Sequence, residues 1–429
     1  MSASPAAPAP RLLRHPDFLK LWTGQTISGF GSQITILAVP VVAALTLKVS
    51  PFQFGLIATL EFLPFMLLSL PAGVWVDRLR RRPILISADL GRAISLLSIP
   101  LAFAFDALTI WQLYAVVLFN GCLTVFFDVA YQSYLPSIVE RDQLVEGNAK
   151  LETTRTIAQR LGPGLGGILI TILSAPFAVV FDAVSFLASA AFLAWIGRSE
   201  PPAPVHDAST GPRPSMRADI VTGLRYVAHQ KLLRAMAATI AIEIFFGNVA
   251  DSILILYLVT ERGFTPALIG LAFSIGSIGV IVAALLTSRM TNLIGVGPLL
   301  ILSAVGSSLS WLLVAAAPES LLFAGLVGTI VSLGFFGVAW NINAVSLRQA
   351  VTPGPMLGRA NATMRFISWS VIPIGTIAGG FLGGVIGLHD TIWVGALGCV
   401  LAFVPVMLSP LRQLREMPRG AASAAMADV

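Results

Sequence analysis

Between two runs that are almost wholly apolar, residues 52–76 and 83–105, the chain reads Gly73-Val-Trp-Val-Asp77-Arg78-Leu-Arg80-Arg81-Arg82-Pro83. Four arginines and an aspartate wedged between such runs cannot sit in hydrocarbon. They form a tight turn at a membrane surface that joins two spanning helices of opposite direction. An acid kept among the bases weakens a topology signal, so Asp77 calls for a reason of its own.

The rest of the chain repeats this alternation. It is 56% hydrophobic and only 11% charged, against about 25% charged residues in a soluble domain. Runs long enough to span, at about 20 residues each, fall at 19–47, 52–76, 83–105, 110–136, 157–174, 177–197, 235–259, 266–288, 298–316, 321–347, 363–387 and 391–409. The fold class read from this is an all-α membrane protein with twelve transmembrane helices. With a cytoplasmic N-terminus, 23 of the 27 Lys and Arg residues fall on the inner side and only Lys48 and Arg262 outside, while Arg92 and Arg160 lie within span ends. The positive-inside rule then predicts a multi-pass protein of the cytoplasmic (inner) membrane with both termini cytoplasmic. The net charge of +6 is spread over short loops, without zinc-finger spacing or an aromatic RNA-binding motif, which excludes a nucleic-acid partner. Cys122 and Cys399, far apart in spans, suit neither a disulfide framework nor a metal site.

One long polar connection, rich in proline, divides the chain. The expected organisation is a cytoplasmic tail 1–18, a six-helix bundle 19–197, a linker 198–234, a second six-helix bundle 235–409 and a tail 410–429. Within the linker, 217–231 is predicted as an amphipathic helix on the membrane surface. The two bundles repeat each other. Ser50-Pro51 with Gly55 opens span two, and Thr265-Pro266 with Gly270 opens span eight. Asn148 is followed at offsets of 14, 18 and 19 by Gly162, Gly166 and Gly167, and Asn361 at the same offsets by Gly375, Gly379 and Gly380. Two pseudo-symmetric halves of equal orientation, related by an axis along the membrane normal, suit a carrier that rocks.

On these motifs the chain resembles the major facilitator superfamily. Gly73, Asp77, Arg78, Arg81 and Arg82 resemble its loop motif between helices two and three. Gly162, Pro163, Gly166 and Gly167 resemble the helix-five motif of drug:proton antiporters. The stretches Phe18…Trp22-x-Gly24-Gln25, Leu135-Pro136…Asn148-Ala149 and Phe181-Asp182…Ser185-Phe186 are similar to the macrolide-efflux and enterobactin-exporter branch. The resemblance implies that Asp77 is a cytoplasmic gate facing the start of helix eleven near Asn361–Met364, a helix N-terminus that attracts negative charge. It also implies a cavity lined by spans one, four, seven and ten. Trp22, Gln25, Phe30 and Gln33 on span one, with Trp340, Asn341 and Asn343 on span ten, are the expected substrate lining. Gly162, Pro163 and Gly164 are expected at the start of a pliable helix packed across the interface against Gly276 and Gly279.

Six acids fall inside spans: Glu61, Asp89, Asp128, Asp182, Glu243 and Asp251. A charged carboxylate there costs about 2.5–3.5 kcal/mol on insertion scales, so each needs a partner or a proton. Asp89 and Arg92, three residues apart, are expected to pair near the inner surface, and Asp182 to make a structural hydrogen bond. Glu61, Asp128, Glu243 and Asp251 remain as proton-coupling candidates. Many relatives carry an acid after the mid-helix glycine of span one, where this chain has Gly31-Ser32. No metal-protease, hydrolase or nucleotide-binding motif is present, so an enzyme is not expected. No cofactor or metal is expected, the proton gradient serving as the energy source. The expected partners are a small-molecule substrate and membrane lipids, with the monomer as the functional form. The resulting expectation is a secondary transporter exporting a hydrophobic or amphipathic small molecule of drug, macrolide or siderophore type by proton antiport. A lipid or lysophospholipid flippase, a solute importer and a non-transporting receptor or accessory protein are the alternatives.

Overall fold

A computed structural model describes residues 12–76, 79–140, 143–198 and 216–418. Among these residues there is no strand. Within the hydrocarbon layer no water can satisfy a backbone N–H or C=O, so helices that bond internally are the economical solution. Among the described residues, twelve helical stretches are long and apolar enough to cross a membrane. The first six are α1 (Pro16–Val41), α2 (Pro51–Val76), α3 (Arg81–Ala104), α4 (Ile110–Ile138), α5 (Leu144–Leu173) and α6 (Ala175–Ala194). A linker helix α7 (Met216–His229) precedes α8 (Lys231–Thr260). Span eight is broken at Ser277 into α9 (Pro266–Gly276) and α10 (Ile278–Ile294). Then follow α11 (Val296–Ala315), α12 (Leu322–Val351), α13 (Gly354–Val385), α14 (Leu388–Val400) and the short α15 (Val404–Met407).

The sequence repeat is realised as matched local geometry. Ser50 and Gln53 exchange backbone-to-side-chain hydrogen bonds of 3.3 and 3.0 Å at the start of α2. Thr265 caps α9 by accepting from the Leu268 N–H at 3.3 Å. The glycines of the second motif press α5 onto α1 and α13 onto α8. A Cβ on Gly162 would run into Gln33 and one on Gly166 would lie 3.2 Å from Ile34 Cα. A Cβ on Gly375 would lie 2.6 Å from the Phe245 carbonyl, and one on Gly379 would collide with that of Val249. Helices in lipid gain little by hiding apolar surface from one another, so such backbone approach supplies much of the association energy.

Two compact units emerge, residues 1–42 with 67–207 and residues 43–66 with 208–429. In the first, α1 packs on α5 and α6, and α3 packs on α4 and α6. One end of this unit is tied by polar groups. Asp17 accepts from the Gly197 and Arg198 N–H groups at 3.0 Å, Lys20 donates to the Trp195 carbonyl at 2.8 Å, and Arg82 donates to the Leu193 carbonyl at 2.9 Å and to that of Ala194. These bases satisfy carbonyls that a helix C-terminus leaves open.

In the second unit α8 packs on α13 and α14, while α12 packs on α10 and α11. Segment 43–66 belongs here rather than with its neighbours in sequence, because the first half of α2 lies against α13. A Cβ on Gly55 would come within 2.7 Å of Gly380 Cα, Thr59 and Thr376 share a hydrogen bond of 2.8 Å, and Phe65 stacks on Trp369 at 4.7 Å.

Three expectations need correction. Helix α5 starts at Leu144, well before the apolar run, because ion pairs Glu146–Lys150 at 3.5 Å and Glu152–Arg155 at 3.6 Å line a polar first half. Gly162 and Pro163 therefore lie inside the helix, not at its start. Gly276 and Gly279 pack against Ile330 and Val331 of α12, within the second unit. The linker helix forms as predicted, but Val227 is buried in the apolar cluster around Leu347 and Met364, Tyr226 donates to the Val351 carbonyl at 3.5 Å, and Gly223 abuts Arg359 and Thr363. Part of its apolar face is thus covered by protein, while Val221 and Leu224 stay exposed.

A Cβ at Gly279 would collide with the Val331 carbonyl, whereas Gly337 has nothing within 4 Å. Gly279→Ala is expected to cost about 1–3 kcal/mol and to lower the unfolding temperature of the detergent-solubilised protein. Gly337→Ala should leave that temperature unchanged or raise it.

Candidate functional site

The intramembrane acids fall into three settings. Asp89 and Asp182 are buried in the first unit. Asp89 pairs with Arg92, as expected, but the pair is in the bundle interior and not at a wetted edge: Asp89 is 0% and Arg92 6% exposed. Asp182 accepts from Ser185 at 3.1 Å and from Ser32 of α1 at 3.4 Å. Gly31 makes room for this contact, since a Cβ there would lie 2.8 Å from Asp182 Oδ1 and would strike Ser185.

Glu243 has a different environment. Its carboxylate accepts from Ser307 on α11, and the Cys399 thiol lies 3.8 Å from its backbone carbonyl. A Cβ on Gly247, one turn further along α8, would lie 3.5 Å from Trp311 Nε1. Glu243 and Gly247 thus share a face, but that face is turned to α11 and α14 inside the second unit.

Glu61, Asp128 and Asp251 make up the third setting. Asp128 on α4 and Asp251 on α8 are exposed, and Glu61 on α2 is half-buried beside Phe62, which lies 6.2 Å from Trp369. None of the three has a hydrogen-bonded or ion-paired partner among the described residues. Arg92 and Arg155 lie within electrostatic reach of Asp128. A carboxylate in a spanning helix with no fixed partner is free to exchange a proton or a cation.

Several expected lining residues are engaged with neighbouring helices. Trp22 donates its indole N–H to Thr154 of α5 at 2.9 Å, and Gln25 donates to Ser189 of α6 at 3.2 Å. Gln33 is wedged against Gly162. Asn343 is buried, accepts from Thr291 of α10 at 3.0 Å and donates to the Ala339 carbonyl at 2.9 Å. Trp340 sits in the apolar cluster of the second unit. Trp22, Gln25 and Asn343 join helix to helix by hydrogen bonds, which polar side chains do well in lipid, whereas the buried Trp340 indole N–H has no partner among the described residues. Phe30, half-buried, and Asn341, exposed, are not so engaged.

The gate residues are only partly visible. Asp77 and Arg78 lie outside the described residues. Gly73 has nothing within 4 Å of a notional Cβ, and Arg82 caps α6 as described above. Asn361, one end of the stretch expected to receive Asp77, accepts from Arg348 at 2.6 Å. Gly167 is buried, its carbonyl accepting from Thr171 at 2.8 Å, and Pro163 is half-buried within α5. Sequence reasoning passed over Arg160, whose buried Nε has no hydrogen-bond partner among the described residues. The signal was there: no acid stands three or four residues away on either side of this base.

Comparison with known proteins fits this architecture. The family model described as transmembrane secretion effector matches residues 3–427. The chain is 28% identical over 411 residues to the multidrug efflux pump Tap of Mycolicibacterium fortuitum, covering 94% of this chain and 97% of the relative. It is 24% identical to the enterobactin exporter EntS of Citrobacter koseri, covering 95% of each. It is also 24% identical to the uncharacterized MFS-type transporter YfiS of Bacillus subtilis, over 96% of each. Among solved structures, a bacterial homologue of the iron transporter ferroportin in an inward-facing state superposes with a TM-score of 0.71 at 17% identity, covering 93% of this chain and 99% of the other. A bacterial homologue of the lysosomal transporter Spinster gives 0.66 at 15% identity, covering 98% and 97%. Twelve spanning helices, a repeated glycine register and a family match over nearly the whole chain lead to one conclusion: this chain is a multi-pass membrane transporter of the major facilitator superfamily, in its transmembrane secretion effector family.

Proposed function

We propose that the protein exports a hydrophobic or amphipathic small molecule of drug, macrolide or siderophore type from the cytoplasm in exchange for protons. The observation that carries this reading is the presence of carboxylates in spanning helices, Glu61, Asp128 and Asp251, without a fixed partner among the described residues. Ionised and unpaired, each costs about 2.5–3.5 kcal/mol. A proton or a cationic substrate removes that cost, and the two compete for the same group. Efflux relatives such as Tap and EntS support the outward direction. Transport by alternating access in the inner membrane belongs to the same reading, and the distribution of bases supports both termini in the cytoplasm.

Three experiments test the reading. Everted vesicles containing the protein should take up a lipophilic dye cation or a catecholate siderophore when their lumen is acid, and a protonophore should abolish this. Glu61→Gln combined with Asp128→Asn should lower uptake at least about tenfold, equivalent to about 1.4 kcal/mol; undiminished uptake would remove these groups from coupling. For orientation, Ser209→Cys on a background lacking Cys122 and Cys399 should resist a membrane-impermeant thiol reagent in intact cells and react in everted vesicles.

Alternating access further requires that the first half of α2 part from α13 during each cycle. The 2.8 Å contact between Thr59 and Thr376 offers a lock. Thr59→Cys with Thr376→Cys, on the same background, should stop transport when oxidised and recover it on reduction. Full transport in the cross-linked protein contradicts the cycle.

A further inference from the structure

Arg92 is held in an unusual way. Its guanidinium lies between the rings of Phe127 on α4, 4.3 Å from the centroid, and Phe186 on α6, 4.1 Å from the centroid. A planar cation stacked on two aromatic faces gains cation–π attraction on both sides and has little freedom to swing. One of its terminal nitrogens donates to Asp89 Oδ1. The pairing is incomplete, however: Arg92 Nε is buried without a hydrogen-bond partner among the described residues, and beyond Arg92 the Asp89 carboxylate has only the Ser189 hydroxyl within reach. Buried polar atoms of a purely structural pair are ordinarily satisfied.

The groups that face this pair come from each helix packed on α3. From α4 comes Asp128, next in sequence to Phe127, and Tyr131 lies within electrostatic reach of Asp128. From α6 comes Asp182, held by Ser185 and Ser32 and also within reach of Arg92. Arg155 of α5 reaches Asp128, but it is exposed and paired with Glu152 at 3.6 Å. Arg92 is thus the buried cation among three carboxylates in this group of described residues, and Arg155 acts on Asp128 from an exposed position that it shares with Glu152. A guanidinium does not lose its proton, so the excess negative charge must be neutralised on the acids.

We propose that Asp89, Arg92 and Asp128 form a proton-binding site inside the first unit, in which one pinned guanidinium serves two carboxylates and the carboxylate it does not neutralise carries the proton. Asp128 is the exposed member and the one that takes up and releases the proton; Asp89 is the buried member and sets how much of the guanidinium charge is left for Asp128. Binding is a single O–H bond formed on Asp128 from a solvent proton, with no other reactant. Arg92 and Asp89 are positioning residues for that proton. The site supplies residues for the proton exchange proposed above and rests on that reading only for its consequence in transport.

The test reads protonation rather than transport. The full-length protein in lipid nanodiscs is titrated by infrared difference spectroscopy, following the carbonyl stretch of protonated carboxyls. The wild type should show a titrating band that Asp128→Asn removes. In Asp89→Asn the guanidinium serves Asp128 alone, and the proton affinity read from that band should fall at least about tenfold, one pH unit downward. Asp89→Asn with Arg92→Gln removes both charges and should return the midpoint to the wild-type value or above it. Identical titrating bands in the wild type and Asp128→Asn overturn the proposal, and so does a midpoint indifferent to Asp89→Asn. The first comparison needs only a substitution at an exposed position, so it decides the matter even if the Asp89 variants fail to fold. Substrate movement in vesicles does not enter the readout, and a failure of the antiport reading would therefore be seen separately.

Discussion

A helix in hydrocarbon gains almost nothing by exchanging lipid for another apolar helix. Cohesion therefore has to come from close backbone approach and from hydrogen bonds that lipid cannot offer. Both devices recur through this protein. Gly162 and Gly166 bring α5 onto α1, and Gly375 and Gly379 bring α13 onto α8, in each half at the same spacing. Where the backbones approach, short hydrogen bonds accompany them: Trp22 to Thr154, Gln25 to Ser189, Thr291 to Asn343. The large apolar side chains, such as Ile94, Leu285 and Leu293, are left on the outside, where lipid is their solvent.

The same constraint explains why the charged groups matter. In water an Asp–Arg pair at the surface is worth little. In the interior of α3, α4 and α6, Asp89 and Arg92 have no solvent to fall back on, and the two phenyl faces around the guanidinium fix where its charge lies. Every further carboxylate near that point, Asp128 and Asp182 included, draws on the same buried cation. A fixed positive charge with a surplus of acids is a natural place to store a proton. Glu243, hydrogen-bonded to Ser307 in the second unit, occupies a quieter setting.

The polar residues on spans one and ten show what a polar group on an apolar helix can be engaged in. Trp22, Gln25, Gln33 and Asn343 are amphipathic or polar in otherwise apolar helices, which suits either a wet cavity or a helix–helix bond. Period and composition do not separate the two, because both need a polar group on a buried face. In this structure the side chains contact Thr154, Ser189, Gly162 and Thr291. The start of α5 was hidden for a related reason: its first half is helical through ion pairs rather than through apolar periodicity.

Read alone, the chain determined the number of spans, the repeat and the superfamily. These depend on runs of apolar residues, on glycine spacing and on where bases interrupt them, all of which are local properties of the sequence. The pairing of Asp89 with Arg92 was also legible, since residues three apart on a helix are neighbours. Only the tertiary structure decided that this pair is buried between Phe127 and Phe186, that the first half of α2 belongs with α13, and that α7 rests on protein. Those outcomes turn on which face of each helix meets which neighbour, and residues far apart in sequence carry no local mark of that meeting.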